Sequence, residues 1–429
     1  MKLAIIVTTK RRFSPPSSRT RAASAIPPSN MIQRSIGQRW RSTTLPYLSL
    51  RGAGQAAEFV GWIVLARRLG TTAFGELAVA TLVCRYGGLV ADWGASIAGV
   101  RDVAAGRNPA AIRRVQRRRL QSTAIFSVAY IAGCFALGYA ELSPLVIVAV
   151  SIGLNRDWIA LGNERGGRSA APSAVQGALL LAIALVASTS APTLAVAVAY
   201  GAGLVMSITL NPLPPLEPEG VDIDHVDNWM LLAVISNQVM SSADTIFLAI
   251  MASASTAGIY AAIYRFPNAW LAALVIVRGS LLPIATSVRQ NHPEQFHALR
   301  TASLRWGARA ALVLVLITPV VYWAVPIVFG QEYSSGQWPA VILVLATAVA
   351  TAAAPLHHLF LAFDDDDKPY GLMLLVAAGV NVVLMLVGIP LFDMVGAACA
   401  TLAANVVLAL VLLRGVKRRE VLLPQADRS

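Results

Sequence analysis

The chain has 429 residues, of which 56% are hydrophobic and only 13% charged, whereas a soluble domain carries roughly 25% charged residues on its water-facing surface. Most of this protein's surface must therefore face something apolar, and a bilayer is the natural medium. The formal net charge of +13 would suggest nucleic acid as a partner in a soluble protein, but here the arginines gather in short segments between apolar runs with few aromatics beside them. That is the pattern of cytoplasmic membrane loops, and it argues against nucleic acid.

In chain order, residues 1–42 come first and stand apart. They hold Lys10, Arg11, Arg12, Arg19, Arg21, Arg34, Arg39 and Arg41 together with Pro15, Pro16, Pro27 and Pro28, and no long apolar run. Arg11-Arg12 is followed by Phe13-Ser14-Pro15-Pro16 instead of an apolar region, so a twin-arginine signal is not expected. The segment reads as a basic, disordered cytoplasmic tail, with Met31 as a second candidate start.

A crossing helix needs about 20 mainly apolar residues. That length predicts spans at 44–66, 73–98, 120–140, 143–162, 174–190 and 192–211. A second set is predicted at 229–252, 257–284, 304–329, 337–361, 370–390 and 394–414. The expectation is an all-α, polytopic membrane protein of about twelve transmembrane helices in two six-helix bundles, 43–211 and 229–415. Between them lies an acidic, Pro-rich cytoplasmic linker, 212–228, with Glu217, Glu219, Asp222, Asp224 and Asp227; a cytoplasmic tail, 416–429, ends the chain.

Basic residues set the orientation. The tail, the Arg101–Arg119 loop, Arg165 with Arg168, and Arg414, Lys417, Arg418 and Arg419 share one side. The opposite loops, around Glu141, Ser188, Ser253, Glu332 and Asp393, carry almost none, with Arg67 and Arg68 the exception. Both termini are therefore expected in the cytoplasm, with the chain in the inner or plasma membrane. The halves also echo each other at a shift of 183 residues: Ile63-Val-Leu-Ala, Gly75 and Ala78 align with Ile246-Phe-Leu-Ala, Gly258 and Ala261. Six spans per half would make such repeats parallel, related by an axis along the membrane normal.

Two stretches carry a resemblance to a known family. Ala66-Arg-Arg-Leu-Gly-Thr-Thr-Ala-Phe-Gly75, then Ala91-Asp-Trp-Gly94 and Arg101-Asp-Val-Ala, resembles the "A-R-x-L-G-x-x-x-F/Y-G … D-x-G … R-x-x-A" opening of the polysaccharide flippases in the multidrug/oligosaccharidyl-lipid/polysaccharide exporter superfamily. Asp244-Thr-Ile-Phe-Leu through Ala257-Gly-Ile-Tyr260, Tyr264-Arg265 and Leu282-Pro283 resembles the start of that family's second half, and Asn381 with Gly396-Ala-Ala398 is a vaguer match. The likeness runs from about residue 44 to the end; the basic tail and the Asp364–Asp367 run depart from it. It implies a V-shaped, two-bundle carrier with a central cavity, which moves undecaprenyl-pyrophosphate-linked oligosaccharide from the cytoplasmic to the outer leaflet by alternating access for surface polysaccharide biosynthesis. Partners so implied are the lipid-linked oligosaccharide, the bilayer, and a polysaccharide polymerase or glycosyltransferases. The alternatives are a multidrug/cation antiporter of the same superfamily and a membrane glycosyltransferase or polymerase.

Ionisable groups within a span are costly, about 2.5–3.5 kcal/mol each, and usually face a cavity or a partner. One helix face carries Arg51, Gln55 and Glu58; another carries Arg85, Gly88 and Asp92; a third carries Asn237, Ser241 and Asp244; the eighth span holds Arg265 and Arg278. Arg51 and Glu58 are two turns, about 10 Å, apart, so each is expected to have another partner. Arg85, Arg51, Arg265 and Arg278 are the candidate substrate-binding residues of a net-basic cavity, because a planar guanidinium donates two hydrogen bonds to a phosphate and stays charged. The competing reading pairs Arg85 with Asp92 or Glu58 and lets Arg278 snorkel to the interface. Glu58, Asp244 and Asp92 are candidates for ion coupling, or else counter-ions for the arginines.

Other features carry less. Cys84, Cys134 and Cys399 read as small buried hydrophobes, and Trp40, Trp93, Trp158, Trp229, Trp306 and Trp338 as interfacial belts. His357-His358, His292 and His297 lack metal-ligand company and read as structural. None of the four lysines precedes Ser or Thr, so no phosphate-binding loop is present, nor is there a Gly-x-Ser-x-Gly elbow. The Arg67–Gly75 loop lacks the acidic pair expected of a glycosyltransferase. No metal, cofactor or enzymatic activity is expected.

Overall fold

The computed structural model describes residues 45–94, 100, 103, 109–163, 165–186, 191–213, 228–271, 281, 285–286, 288–289, 293–363 and 368–421. The basic tail, most of the acidic linker, Arg278, His292 and the Asp364–Asp367 run lie outside them. Every regular element among the described residues is helical, and eight of the helices are long and apolar enough to cross a membrane. The chain is a multi-pass membrane protein.

Two of these helices double back. In α1 (Leu45–Asp92) the backbone breaks at Gly70, with φ 72°. The Trp62 and Phe74 rings lie 6.1 Å apart, although twelve residues of continuous helix would separate them by about 18 Å. The last helix, Lys368–Glu420, breaks at Asp393, with φ 52°. There a Cβ on Gly396 would meet the Gly388 carbonyl oxygen at 1.9 Å, where a straight helix would set those residues about 12 Å apart. Each predicted pair of spans is thus a hairpin closed at one residue. No loop forms at 67–72, because Arg67 and Arg68 are good helix formers. Arg68 also donates to the carbonyls of Ala184 (2.8 Å) and Leu185 (3.0 Å) at the end of a neighbouring helix, which is how a basic residue is accommodated where few others occur.

Other boundaries move for similar reasons. The span predicted at 120–140 is α2, Pro109–Ala136: proline suits a first helical position, so Arg113, Arg114, Arg117 and Arg118 extend a helix and do not form a loop. The predicted 143–162 span is broken into a 3-10 turn at Ala140–Leu145 containing Pro144, then α3 (Val146–Leu154) and α4 (Asp157–Gly162). Next come α5 (Gly166–Val186), α6 (Pro192–Leu210), α7 (Asn228–Met251), α8 (Ala254–Ile263), α9 (Phe296–Phe329), α10 (Gln337–Leu361) and α11 (Lys368–Glu420).

Helix α1 packs on α2, α3 and α5, whereas α11 packs on α7 and α10, and α10 on α9. Glycines allow the closest approaches: a Cβ on Gly177 of α5 would lie 2.0 Å from the Gly54 carbonyl oxygen. The two groups of helices meet where α1 crosses α8, and here the 183-residue echo acquires a physical meaning. A Cβ on Gly75 would stand 1.8 Å from the Ala254 carbonyl oxygen, and one on Gly258 2.0 Å from that of Thr71. Thr71 and Ala254 are separated by 183 residues, as are the two glycines, so the contact is reciprocal about a local two-fold. The Thr71 and Ser255 hydroxyls hydrogen-bond across it at 2.7 Å.

Large apolar side chains such as Val128, Leu316, Ile327 and Leu391 point outward, as hydrocarbon permits. Cys399 is exposed as well, which corrects its reading as buried; an apolar residue on a lipid-facing helix has no preference for the inside. Trp158, expected at an interface, is buried.

Candidate functional site

Three carboxylates inside the helices have three different surroundings. Glu58, on α1, is half-buried, and its Oε1 accepts from Trp62 Nε1 (3.4 Å) and from the Tyr200 hydroxyl of α6 (3.3 Å). The guanidinium of Arg265, just beyond α8, lies 4.3 Å from the centroid of the same Trp62 ring. Its Nε is buried and hydrogen-bonds to none of the described residues, although buried polar groups are nearly always satisfied. Arg265 feels the charges of Glu58 and Arg85, and Tyr200 feels all three. Arg85, on the second limb of α1, is exposed. Beside it the Tyr86 hydroxyl donates to the Gln238 carbonyl (2.9 Å) and pairs with the Ser242 hydroxyl (3.3 Å), again linking the two groups of helices. The charges of Arg85, Arg265 and Glu58 thus all reach Tyr200.

Arg51 stands apart. Its guanidinium lies 5.9 Å from the Tyr47 ring, and its charge is felt at Asp157. Arg51 and Glu58 thus each have partners other than the other.

Asp92 pairs with Arg119 at 2.6 Å, both buried, and not with Arg85. Arg119 also donates to the carbonyls of Asn155 (2.9 Å) and Ile152 (3.1 Å), and to Gln116 Oε1 (3.2 Å). It caps the carbonyl end of α3, where the chain breaks before α4. The guanidinium satisfies exposed backbone acceptors, and Asp92 neutralises it.

Asp244, on α7, is 1% exposed. Its Oδ2 accepts from the Tyr260 hydroxyl (2.8 Å) and from Thr401 Oγ1 (3.3 Å), and its Oδ1 from its neighbour's amide, Thr245 N (2.9 Å). No ion pair reaches it among the described residues, so it is not the counter-ion of a described arginine. Arg278 lies outside the described residues.

Sequence reasoning missed Trp62, Tyr200, Tyr260, Thr401 and Arg119. Trp62 lies four residues from the end of the predicted 44–66 span, where a tryptophan reads as interfacial, so its position gave little signal. The hydroxyls and Arg119 carried none, since only packing brings them to their carboxylates. Among the histidines, His357 pairs with the Tyr370 hydroxyl at 2.9 Å, and His297 with Glu420 at 2.9 Å beside Arg300. No cluster of potential metal ligands occurs among the described residues.

No family model and no curated protein matches the chain by sequence. Solved structures do match. A MATE transporter of Vibrio cholerae, VcmN, is 12% identical and superposes with a TM-score of 0.60 over 90% of this chain and 98% of its own. The lipid II flippase MurJ, in an inward closed conformation, gives a TM-score of 0.61 at 10% identity over 87% and 89%. This is the fold of the MOP-superfamily transporters. A further member, from Pyrococcus furiosus, gives a TM-score of 0.58 at 11% identity over 90% and 96%, and is described as having a binding pocket of reverse polarity that suggests a different function.

Proposed function

We propose that the chain is a flippase that moves a lipid-linked oligosaccharide with a pyrophosphate headgroup from the cytoplasmic to the outer leaflet, for surface polysaccharide biosynthesis. The observation that carries this reading is the excess of arginine where the two groups of helices meet. The charges of Arg85, Arg265 and Glu58 are all felt at Tyr200, and Arg265 keeps a buried donor with no described partner. A pyrophosphate carries charge that hydrocarbon cannot solvate, so crossing needs a protein-lined basic path; the isoprenoid tail can stay in lipid. Arg85 and Arg265 are the proposed headgroup ligands, with Arg51 and Arg278 as further candidates. Asp244 is the proposed ion-coupling carboxylate, and Asp92 is committed to Arg119.

The second reading, a cation antiporter, is favoured by the MATE neighbours, whose fold is equally similar. A drug-cation site is expected to be acidic and aromatic, whereas this one holds more arginine than carboxylate, and the Pyrococcus protein is described as a case where pocket polarity separates functions within the fold. Deleting the gene decides between them. Lipid-linked oligosaccharide should be assembled but trapped on the cytoplasmic leaflet, as assigned with a sugar-binding probe in intact cells and inverted vesicles. Loss of the intermediate altogether would indicate a synthetic enzyme. Normal outer-leaflet delivery, with cationic drugs accumulating in the cells, would indicate the antiporter.

A further inference from the structure

Trp62 uses two parts of one side chain on opposite charges. The face of its indole carries the Arg265 guanidinium at 4.3 Å, and its edge N–H donates to Glu58. Face and edge are perpendicular, so the carboxylate is held near the ring plane while the guanidinium sits above it. The two do not form an ion pair, even though Arg265 feels the charge of Glu58. In a site of low dielectric, opposite charges attract strongly, yet each of these is held by the Trp62 indole instead of by the other. The ring itself cannot swing, because Trp62 is 1% exposed and packs nearly edge-on (78°) against Phe74. The Tyr200 hydroxyl holds the same carboxylate oxygen, Oε1, from a third helix.

We propose that Trp62, assisted by Tyr200, is a positioning residue that holds Glu58 away from Arg265 and so keeps that guanidinium open to an anionic headgroup. This rests on the flippase reading given above. An ion pair between Glu58 and Arg265 would occupy the donors that a phosphate needs; the indole prevents that pair without neutralising either group. The Nε of Arg265, buried, hydrogen-bonds to none of the described residues. Glu58 then keeps a role of its own: it offsets the charge of two arginines in the empty site without blocking them.

The test measures binding of inorganic pyrophosphate to the purified full-length chain in lipid nanodiscs by calorimetry. Trp62→Phe retains an aromatic face for Arg265 but loses the N–H. It should weaken pyrophosphate binding about tenfold, the effect of one competing charge-assisted hydrogen bond. In a Glu58→Gln background the same change should alter binding less than about twofold, because no carboxylate remains to compete. Tyr200→Phe should act in the same direction, more weakly, with the same cancellation, and it serves if Trp62→Phe lowers the yield of folded protein. Wild-type affinity in both single variants, or an undiminished loss in the Glu58→Gln background, would overturn the positioning role. Arg265→Ala separates the two levels. If it loses pyrophosphate binding while the Trp62 and Tyr200 variants behave as wild type, the headgroup reading stands and the positioning role falls. If it binds as wild type does, the headgroup reading fails and the positioning role fails with it.

Discussion

Glu58 and Asp244 sit on the opening helices of the two halves that the 183-residue echo relates, yet their surroundings are opposite. Glu58 is half-buried, held by an indole N–H and a phenol, and its charge and that of the exposed Arg85 are both felt at Arg265. Asp244 is sealed, accepts only from hydroxyls and a backbone amide, and has no cation among its described partners. The joint between Gly75 and Gly258 is symmetric, while the chemistry beside it is not. Internal repetition here preserves the packing geometry that lets two halves meet and leaves the polar sites free to diverge. A site with spare arginine suits an anion. A buried carboxylate ringed by oxygen-bearing side chains suits a proton or a small cation, since none of the described residues forms an ion pair with it.

The comparison is broken most sharply at Arg85. Arg85→Ala should abolish transport of the lipid-linked substrate while leaving the protein in the membrane at normal amount, and Arg85→Lys should restore only part, because lysine keeps the charge but not the planar fork. Normal transport by the alanine variant, measured in reconstituted vesicles, would remove the anionic half of the contrast. Next in size is Asp244→Asn, which keeps the shape and the Tyr260 contact but removes the charge. It should flatten the dependence of transport on pH or on the driving cation, while Glu58→Gln leaves that dependence intact. If both variants respond alike, the two carboxylates do not differ in role.

The shared joint gives a third, intermediate effect. Gly258→Ala places a methyl group 2.0 Å from the Thr71 carbonyl oxygen, where backbone must move, and should lower stability by about 1–3 kcal/mol, read as a drop in the thermal midpoint in detergent. Gly75→Ala should do the same, as expected of a reciprocal contact. The smallest effect is expected of Thr401→Val, which removes the longer of the two hydroxyl contacts to Asp244 and should lower stability by only about 0.5–1.5 kcal/mol. A larger loss would show that Thr401 does more than help solvate that carboxylate.

Much of the architecture was legible before any coordinates. The apolar runs located the helices, and α10 (Gln337–Leu361) starts and ends where the predicted 337–361 span does. Charge within apolar runs singled out Glu58, Arg85, Asp92, Asp244 and Arg265, because burying such groups without purpose is costly. Misreadings fell where local chemistry overrode composition. Arg113, Arg114, Arg117 and Arg118 looked like a loop but continue a helix, and Gly70 and Asp393 close hairpins in one residue where the sequence suggested longer turns.

Which partner each buried charge takes was decided by tertiary structure alone. Arg85 and Asp92 share a helix face at helical spacing, yet Asp92 pairs with Arg119 of another helix, and Arg265 finds the Trp62 ring of the other half. The reason lies in the solvent. In water the apolar face of a helix points inward and so indicates the core. In a bilayer the outward face is apolar too, so composition shows that a helix is buried without showing which side meets its neighbours, as the exposed Cys399 and the buried Trp158 illustrate. The sequence by itself showed that Arg85, Asp92 and Arg265 fall within apolar runs; only the packing of the helices determined which partners they meet.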